Sequence, residues 1–363
     1  MTSRPDFSSF QEGAHRCDKA MQGIPDRVPV CAQMHEFAMK EIGARPREFY
    51  RNPEMLVYGT LEVQDKYGID VPVLDYDVYN IEAEAIGQDI VFGDDHMPDV
   101  DRTKPMLRDR DDLKKIRTPD FDADGRFAHV IEMNRIFRDV IGGQTEATLR
   151  FCAPFSLAAN IRGIEQLLMD MYTDPEFARS LFDRVVEELL APWILRLKKE
   201  FPHATSISGD DATGSLPIVN LEILRDWIVP YVLRLWEICG PEIYVPNWVG
   251  EHNLKNPEEM LDIKRQACPG FVEGQDPDVE KLGPELYKSY AEKHDEPLIL
   301  GLGAGFLALA SPAEVEQRVK HYIEAGGKGG RLVLYLCNLG ATTPPENVRA
   351  AIQAVHRYGT YNS

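Results

Sequence analysis

Eight short apolar runs, separated by helical patterns, constrain this chain more than any other feature. They are Val28–Ala32, Val71–Leu74, Leu149–Cys152, Thr205–Ser208, Ile243–Val245, Gly270–Val272, Leu298–Leu302 and Leu332–Leu336. Most lack polar alternation. A strand with water on one face alternates, whereas a strand covered on both faces does not. Doubly covered strands alternating with helices belong to parallel α/β architectures, and eight of them predict a (β/α)8 TIM barrel. The rival is an open doubly wound sheet. The stretch GLGAGF at 301–306 does not favour it, because the third glycine and the later acidic residue of a dinucleotide fingerprint are missing. Residues 1–25 read as an N-terminal helical lead-in. Residues 1–363 read as one barrel domain, a size that such barrels reach.

Helix starts are marked by capping chemistry. Asn52-Pro53-Glu54, Asn256-Pro257-Glu258 and Ser311-Pro312-Ala313-Glu314 each place a capping residue before a proline, and Ser311 with Glu314 fits a capping box. Thr173 with Glu176, and Thr343 with Glu346, have the same spacing. Residues 94–125 form a charged, proline-containing excursion, either a solvated loop or a lid over the barrel mouth.

The net charge of −19 argues against nucleic acid, whose phosphates demand Lys and Arg, and against an anionic membrane surface. No run approaches the ~20 apolar residues of a membrane helix. The first residues lack the apolar core of a signal peptide. The six cysteines show no C-x-x-C spacing and fit a reducing cytoplasm.

Function in a barrel sits where strands hand over to loops. Those positions here carry Gln33 and His35, then Asp75, Asp77, Glu82 and Glu84, then Ser156 and the Asp210-Asp211 pair. The loop after Ile243–Val245 adds Asn247, Trp248, Glu251, His252 and Asn253; later strands add Glu273, Gln275, Asp276, Cys337 and Asn338. Each has a plainer reading: Asp210-Asp211 as a helix cap, His35 and Trp248 as core, Cys337 as a buried thiol. Together they describe one polar mouth suited to a heterocycle or a phenol. There is no GxSxG elbow, HExxH pair or P-loop.

The segments GIPDRVPV at 23–30, KYGIDVPVLDYDV at 66–78, 153–183, GDDATG at 209–214 and GGKGGRLVLYLCNLGATTPPENVRAAIQA at 326–354 resemble the uroporphyrinogen decarboxylase superfamily. The resemblance implies a (β/α)8 barrel. The decarboxylases carry an Arg-rich run after strand one for porphyrin carboxylates; here Cys31-Ala32-Gln33-Met34-His35 stands in that place, against porphyrinogen decarboxylation. The other large branch contains corrinoid-dependent methyltransferases. Its thiol-methylating members hold zinc through a His-x-Cys pair and a later Cys. Cys337 matches the later ligand, but Asn247 and Val249 replace the pair. A spaced zinc pattern of the methoxyaromatic-demethylating members is met by Glu258, Glu273 and His294, although His294 belongs at the far end of the next helix.

The expectation is therefore a methyltransferase that moves a methyl group from a methoxylated aromatic to the cobalt(I) of a corrinoid (cobalamin) protein. Glu273, Asp211 and Glu84 are its candidate acids or ligands. Gln33, His35, Asp77, Asn247, Trp248, His252 and Asn338 are its candidate pocket, and Cys337 with Glu273 its candidate zinc ligands. The alternatives are a methylcorrinoid:tetrahydrofolate methyltransferase, with Asn247 and Asp211 on the pterin, and a non-catalytic barrel that binds a corrinoid protein. A decarboxylase of some smaller acid is a weaker option. The resemblance is compatible with a homodimer.

Overall fold

The computed structural model describes residues 6–141, 147–204 and 206–361. In chain order the strands are β1 (Val30–Ala32), β2 (Ile90–Val91), β3 (Asp99–Val100), β4 (Leu149–Cys152), β5 (Ile207–Asp210), β6 (Ile243–Tyr244), β7 (Val272–Gln275), β8 (Leu298–Leu302) and β9 (Leu332–Leu336). Two parallel arcs form the barrel: a four-stranded arc ordered β1-β9-β8-β7 and a three-stranded arc ordered β4-β5-β6.

The second of the eight expected runs forms no regular strand. It joins the ring through one parallel bridge, Cys31 to Val71, and leads through Tyr76, whose hydroxyl donates to the Arg150 carbonyl at 3.0 Å. Residue 205 of the fourth expected run lies outside the described residues. β2 and β3 form an antiparallel pair outside the ring.

Alternation explains the layering. Leu298, Leu300 and Leu302, like Leu332, Leu334 and Leu336, are buried against the surrounding helices. The intervening residues face the barrel axis. Register places Gln275, Gly301, Tyr335 and Cys31 in one inward layer, and Arg150, Ser208 and Tyr244 in another. The interior of such a barrel is ordinarily filled by branched apolar side chains. Here several inward positions are small or polar, and the centre is not filled.

The N-terminal lead-in is the helix Ser9–Met21. Its Arg16 joins Asp26 at 2.7 Å and buried Asp70 at 2.6 Å. Asn52 caps its helix through Met55 N at 3.0 Å, and Ser311 and Glu314 form the expected capping box. Three expected caps differ. Asp174, not Thr173, caps Pro175–Arg184, because the Thr173 hydroxyl turns back to the Met169 carbonyl. Asn256 and Thr343 provide no side-chain cap. The excursion at 94–125 packs along the outer helices, with Leu107 and Ile116 fully buried; only its Met97 lines the mouth. All six cysteines are free, and no helix among the described residues is long and apolar enough to cross a membrane.

Candidate active site

A cavity of about 590 Å³ penetrates the barrel from its C-terminal mouth. It exists because of the inward layers. Cys31, Ser208 and Gly301 supply little volume where a barrel would carry Ile or Leu. The glycine is required: a Cβ at Gly301 would meet the Cys337 sulfur at 2.5 Å and Gln275 Cγ at 3.1 Å.

At the centre of the wall stands Arg150, on β4. Its Nη1 lies 3.2 Å from both Asp210 oxygens, and its Nη2 lies 3.7 Å from Asp75 Oδ1. Burial works against the Arg150 charge, but Asp210 and Asp75 outweigh it and hold its pKa above the ordinary value. Asp210 feels the opposite balance: burial pushes its carboxyl up against the pull of Arg150. Asp75 is 2% exposed; its Oδ2 accepts from Met34 N at 3.1 Å, and Oδ1 has no hydrogen-bond partner.

Across the cavity lies Glu273, on β7. Burial pushes its carboxyl up, opposed by Lys264 and by a hydrogen bond from the Gln275 amide. Lys264 is itself buried behind the wall and donates to the Glu273 carbonyl at 2.9 Å and to Glu251 at 2.8 Å. Tyr76, Tyr79, Tyr244, Phe271 and Tyr335 supply the aromatic surface. Burial raises the Tyr76, Tyr79 and Tyr335 phenols well above their usual range, so they stand as neutral hydroxyls. Tyr335 donates to the Gln33 amide oxygen.

At the mouth, His35 and Asn338 close the ends of β1 and β9. Their side chains meet at 3.2 Å, and both adopt left-handed backbone, φ 32° and 47°. Such conformations in non-glycine residues cost energy and concentrate at functional sites. Asn247 completes the rim: its carbonyl accepts from Asp211 N at 3.0 Å and its amide lies 3.4 Å from the Tyr79 hydroxyl.

The structure thus brings together Glu273, Gln33, His35, Asn247 and Asn338, and separates the other expected residues from the cavity. Asp211 is fully buried and accepts from Ser156 Oγ at 2.6 Å, Trp248 Nε1 at 3.0 Å and Gly214 N at 3.1 Å. It anchors a loop, and Trp248, also fully buried, is core rather than a stacking platform. Asp77 and Glu84 are held by buried Arg126, at 2.6 Å and 2.5 Å. His252 is bound by the carboxylate of Asp278 and by Lys281.

The zinc expectation does not fit. Cys337 is 2% exposed, and burial pushes its thiol well above the usual value. Glu258 pairs with Lys293 at 2.9 Å, and His294 packs on Tyr290. Among the described residues no three His, Cys, Asp or Glu side chains form a group that could hold a metal ion. A protein zinc site needs three or four such ligands.

Sequence reasoning missed Arg150 and the inward tyrosines. One signal was present: an arginine between Leu149 and Phe151, at the inward parity of an otherwise apolar run, needs a carboxylate partner inside the barrel. Asp75 and Asp210 stood among the strand-end residues without a role.

Comparison with known proteins places this arrangement in a family. The chain is 26% identical over 324 residues to a uroporphyrinogen decarboxylase from Syntrophotalea carbinolica, covering 85% of this chain and 86% of that protein. It is 24% identical over 293 residues to a methylated-thiol–coenzyme M methyltransferase from Methanosarcina mazei, covering 79% and 72%. A solved methyltransferase from Methanosarcina mazei superposes with a TM-score of 0.76 at 20% identity, covering 94% of this chain and 98% of that one, which establishes the shared barrel fold. The uroporphyrinogen decarboxylase (URO-D) family model matches residues 15–358, and the chain belongs to that family.

Proposed function

We propose that this chain is a corrinoid-dependent methyltransferase that removes the methyl group of a methoxylated aromatic for transfer to a separate corrinoid protein. The observation that carries this reading is the pairing of an aromatic-walled cavity with a buried carboxyl inside it, Glu273, whose pKa burial pushes up. An aryl methyl ether is a poor electrophile because phenolate leaves reluctantly. The corrinoid, presented at the mouth, supplies the nucleophile for the methyl carbon. The chain's part is to hold the ring among Tyr79, Tyr244 and Phe271 and to protonate the departing oxygen from Glu273. The methyl C–O bond breaks, the Glu273 proton passes to the phenolate oxygen, and the carboxylate left behind is compensated by the Gln275 amide and by Lys264. Gln33, hydrogen-bonded to Tyr335, and the His35–Asn338 pair set the entrance.

Porphyrinogen decarboxylation, the activity named for several relatives, asks for the reverse electrostatics. A substrate bearing many carboxylates needs surplus guanidinium groups. This wall offers Arg150 alone, already opposed by Asp75 and Asp210. The tetrahydrofolate alternative put Asn247 and Asp211 on the pterin; Asn247 lines the cavity, but the Asp211 carboxylate is occupied by three donors away from it.

The test is methyl transfer followed by corrinoid absorbance, with free cobalt(I) cobalamin and with corrinoid proteins, against a panel of methoxylated aromatics, each with and without a chelator. Turnover with at least one methoxyaromatic, insensitive to chelator, is expected. Turnover confined to methylcobalamin plus tetrahydrofolate would refute the proposal.

A further inference from the structure

The cavity wall also specifies the charge of what enters it, an inference that rests on the cavity being the substrate site. Glu36, Asp75, Asp210 and Glu273 all reach the wall, and Arg150 is the one permanent cation among the described lining residues. That guanidinium is not spare, since Asp210 lies 3.2 Å away through both oxygens and Asp75 at 3.7 Å. Even with Glu273 carrying its proton, three carboxylates oppose one guanidinium. His35 is the other lining group able to take positive charge, and its protonation would not create a surplus. The remaining wall is largely tyrosine and phenylalanine, whose faces attract cations. Asp75, almost wholly buried, keeps one oxygen without a hydrogen-bond partner. That oxygen is the one facing Arg150 Nη2 at 3.7 Å, so the Asp75 charge adds to the negative potential of the wall.

The geometry points to a substrate whose ring substituent is uncharged or cationic, a methoxyphenol or methoxyarylammonium rather than a methoxybenzoate. A carboxylate on the ring would enter a wall with surplus negative charge and find no free guanidinium fork to receive it.

Calorimetric titration of the full chain tests this with three probes of similar size: the 4-carboxamide of 2-methoxyphenol as the uncharged parent, the 4-aminomethyl analogue as the ammonium, and the 4-carboxylate. The same three scaffolds without the methoxy group form a second set. The two surplus charges at ~6 Å, each worth roughly tenfold at an effective dielectric of ~40 for a water-open cavity, predict that the carboxylate binds roughly a hundredfold more weakly than the uncharged parent. The ammonium is expected to bind at least as tightly as the parent. Asp75→Asn and, independently of any folding defect there, Glu36→Gln are each expected to narrow the gap roughly tenfold. Carboxylate binding equal to or tighter than the parent, or a gap unmoved by both variants, overturns the inference. Binding confined to the methoxy-free set, in the same charge order, upholds it while refuting the methoxyaromatic reading. Silence in both sets refutes both.

Discussion

Replacing Arg150 with Met isolates the electrostatics of the cavity. Methionine keeps much of the stem volume and removes the charge that faces Asp210 at 3.2 Å and Asp75 at 3.7 Å. Breaking a buried pair by deleting one partner typically costs 3–5 kcal/mol, because an uncompensated charge stays behind. The cavity gives these carboxylates some access to water, so the lower end applies, about 3 kcal/mol, or roughly 4 °C in Tm for a chain of this length. The pH dependence identifies the cause. Burial already raises the Asp210 pKa with Arg150 in place, and removing the guanidinium raises it further. A carboxyl whose folded pKa exceeds its unfolded value favours folding at low pH and loses that contribution as pH rises through the folded pKa. The deficit of R150M should therefore be largest at neutral pH and shrink as pH falls towards the unfolded carboxyl pKa of about 3.9. Melting curves of wild type, R150M, D210N and R150M/D210N across this range complete a double-mutant cycle. The double variant should recover part of the loss. A deficit of the same size at low and neutral pH, with no recovery in the double variant, would mean that lost packing rather than charge explains it, and the account of the wall would fail.

Glu273→Gln should lower kcat by about 10²–10⁴ while substrate affinity in calorimetry changes little. Burial raises the wild-type carboxyl, and its acid form is the active one, so wild-type kcat should fall as pH rises through that pKa, above the ordinary carboxylate range, while the variant's profile stays flat. Gly301→Ala should destabilise by about 1–3 kcal/mol in urea unfolding, because its Cβ would meet the Cys337 sulfur at 2.5 Å; adding Cys337→Ala should restore most of the loss, and no restoration would disprove the contact. Asp211→Asn turns an amide donor towards Ser156, Trp248 or Gly214 and should cost about 2 kcal/mol of stability. Its ligand affinity should be kept; a loss of activity at unchanged stability would return Asp211 to the site.

Much of the barrel was legible because burial on both faces leaves a pattern no other environment leaves. The Leu298–Leu302 and Leu332–Leu336 runs matched the observed strands residue for residue. The second run was harder. Val71–Leu74 has the composition of a strand but follows Asp70, which is pinned by Arg16 and Arg27, and only one bridge forms. The strand ends were the wrong unit for finding the site. Asp77 and Glu84 lie beyond their expected strand as Gln33 and His35 do beyond theirs, but a buried arginine 49 and 42 residues later in the chain claims both carboxylates. Asp210 and Asp211 are neighbours, and extended backbone sends successive side chains to opposite faces. One therefore meets Arg150 in the cavity, while the other meets Ser156 and Trp248 in the core. Choosing between them required the register of β5 against β4, which a single sequence does not contain.

That same parity separates the two carboxyls that matter most to the chemistry. Asp210 and Glu273 both point inward, both are buried, and burial raises both. They differ in their partners. Asp210 lies beside a guanidinium, which favours its charged form and opposes the rise that burial causes. Glu273 has an amide beside it and feels Arg150 and Lys264 only from further off, the Lys264 ammonium being committed to Glu251 and to a backbone carbonyl. Burial raises both carboxyls, and the guanidinium opposes that rise more directly at Asp210 than at Glu273. The proposed role of Glu273 as the acid rests on that difference, and so does the proposed charge selectivity of the cavity. If Arg150 stood beside Glu273 instead, the proton donor would be lost and the surplus negative charge would move to the opposite wall. The small inward residues Ser208 and Gly301 leave the room in which the difference can act on a ligand.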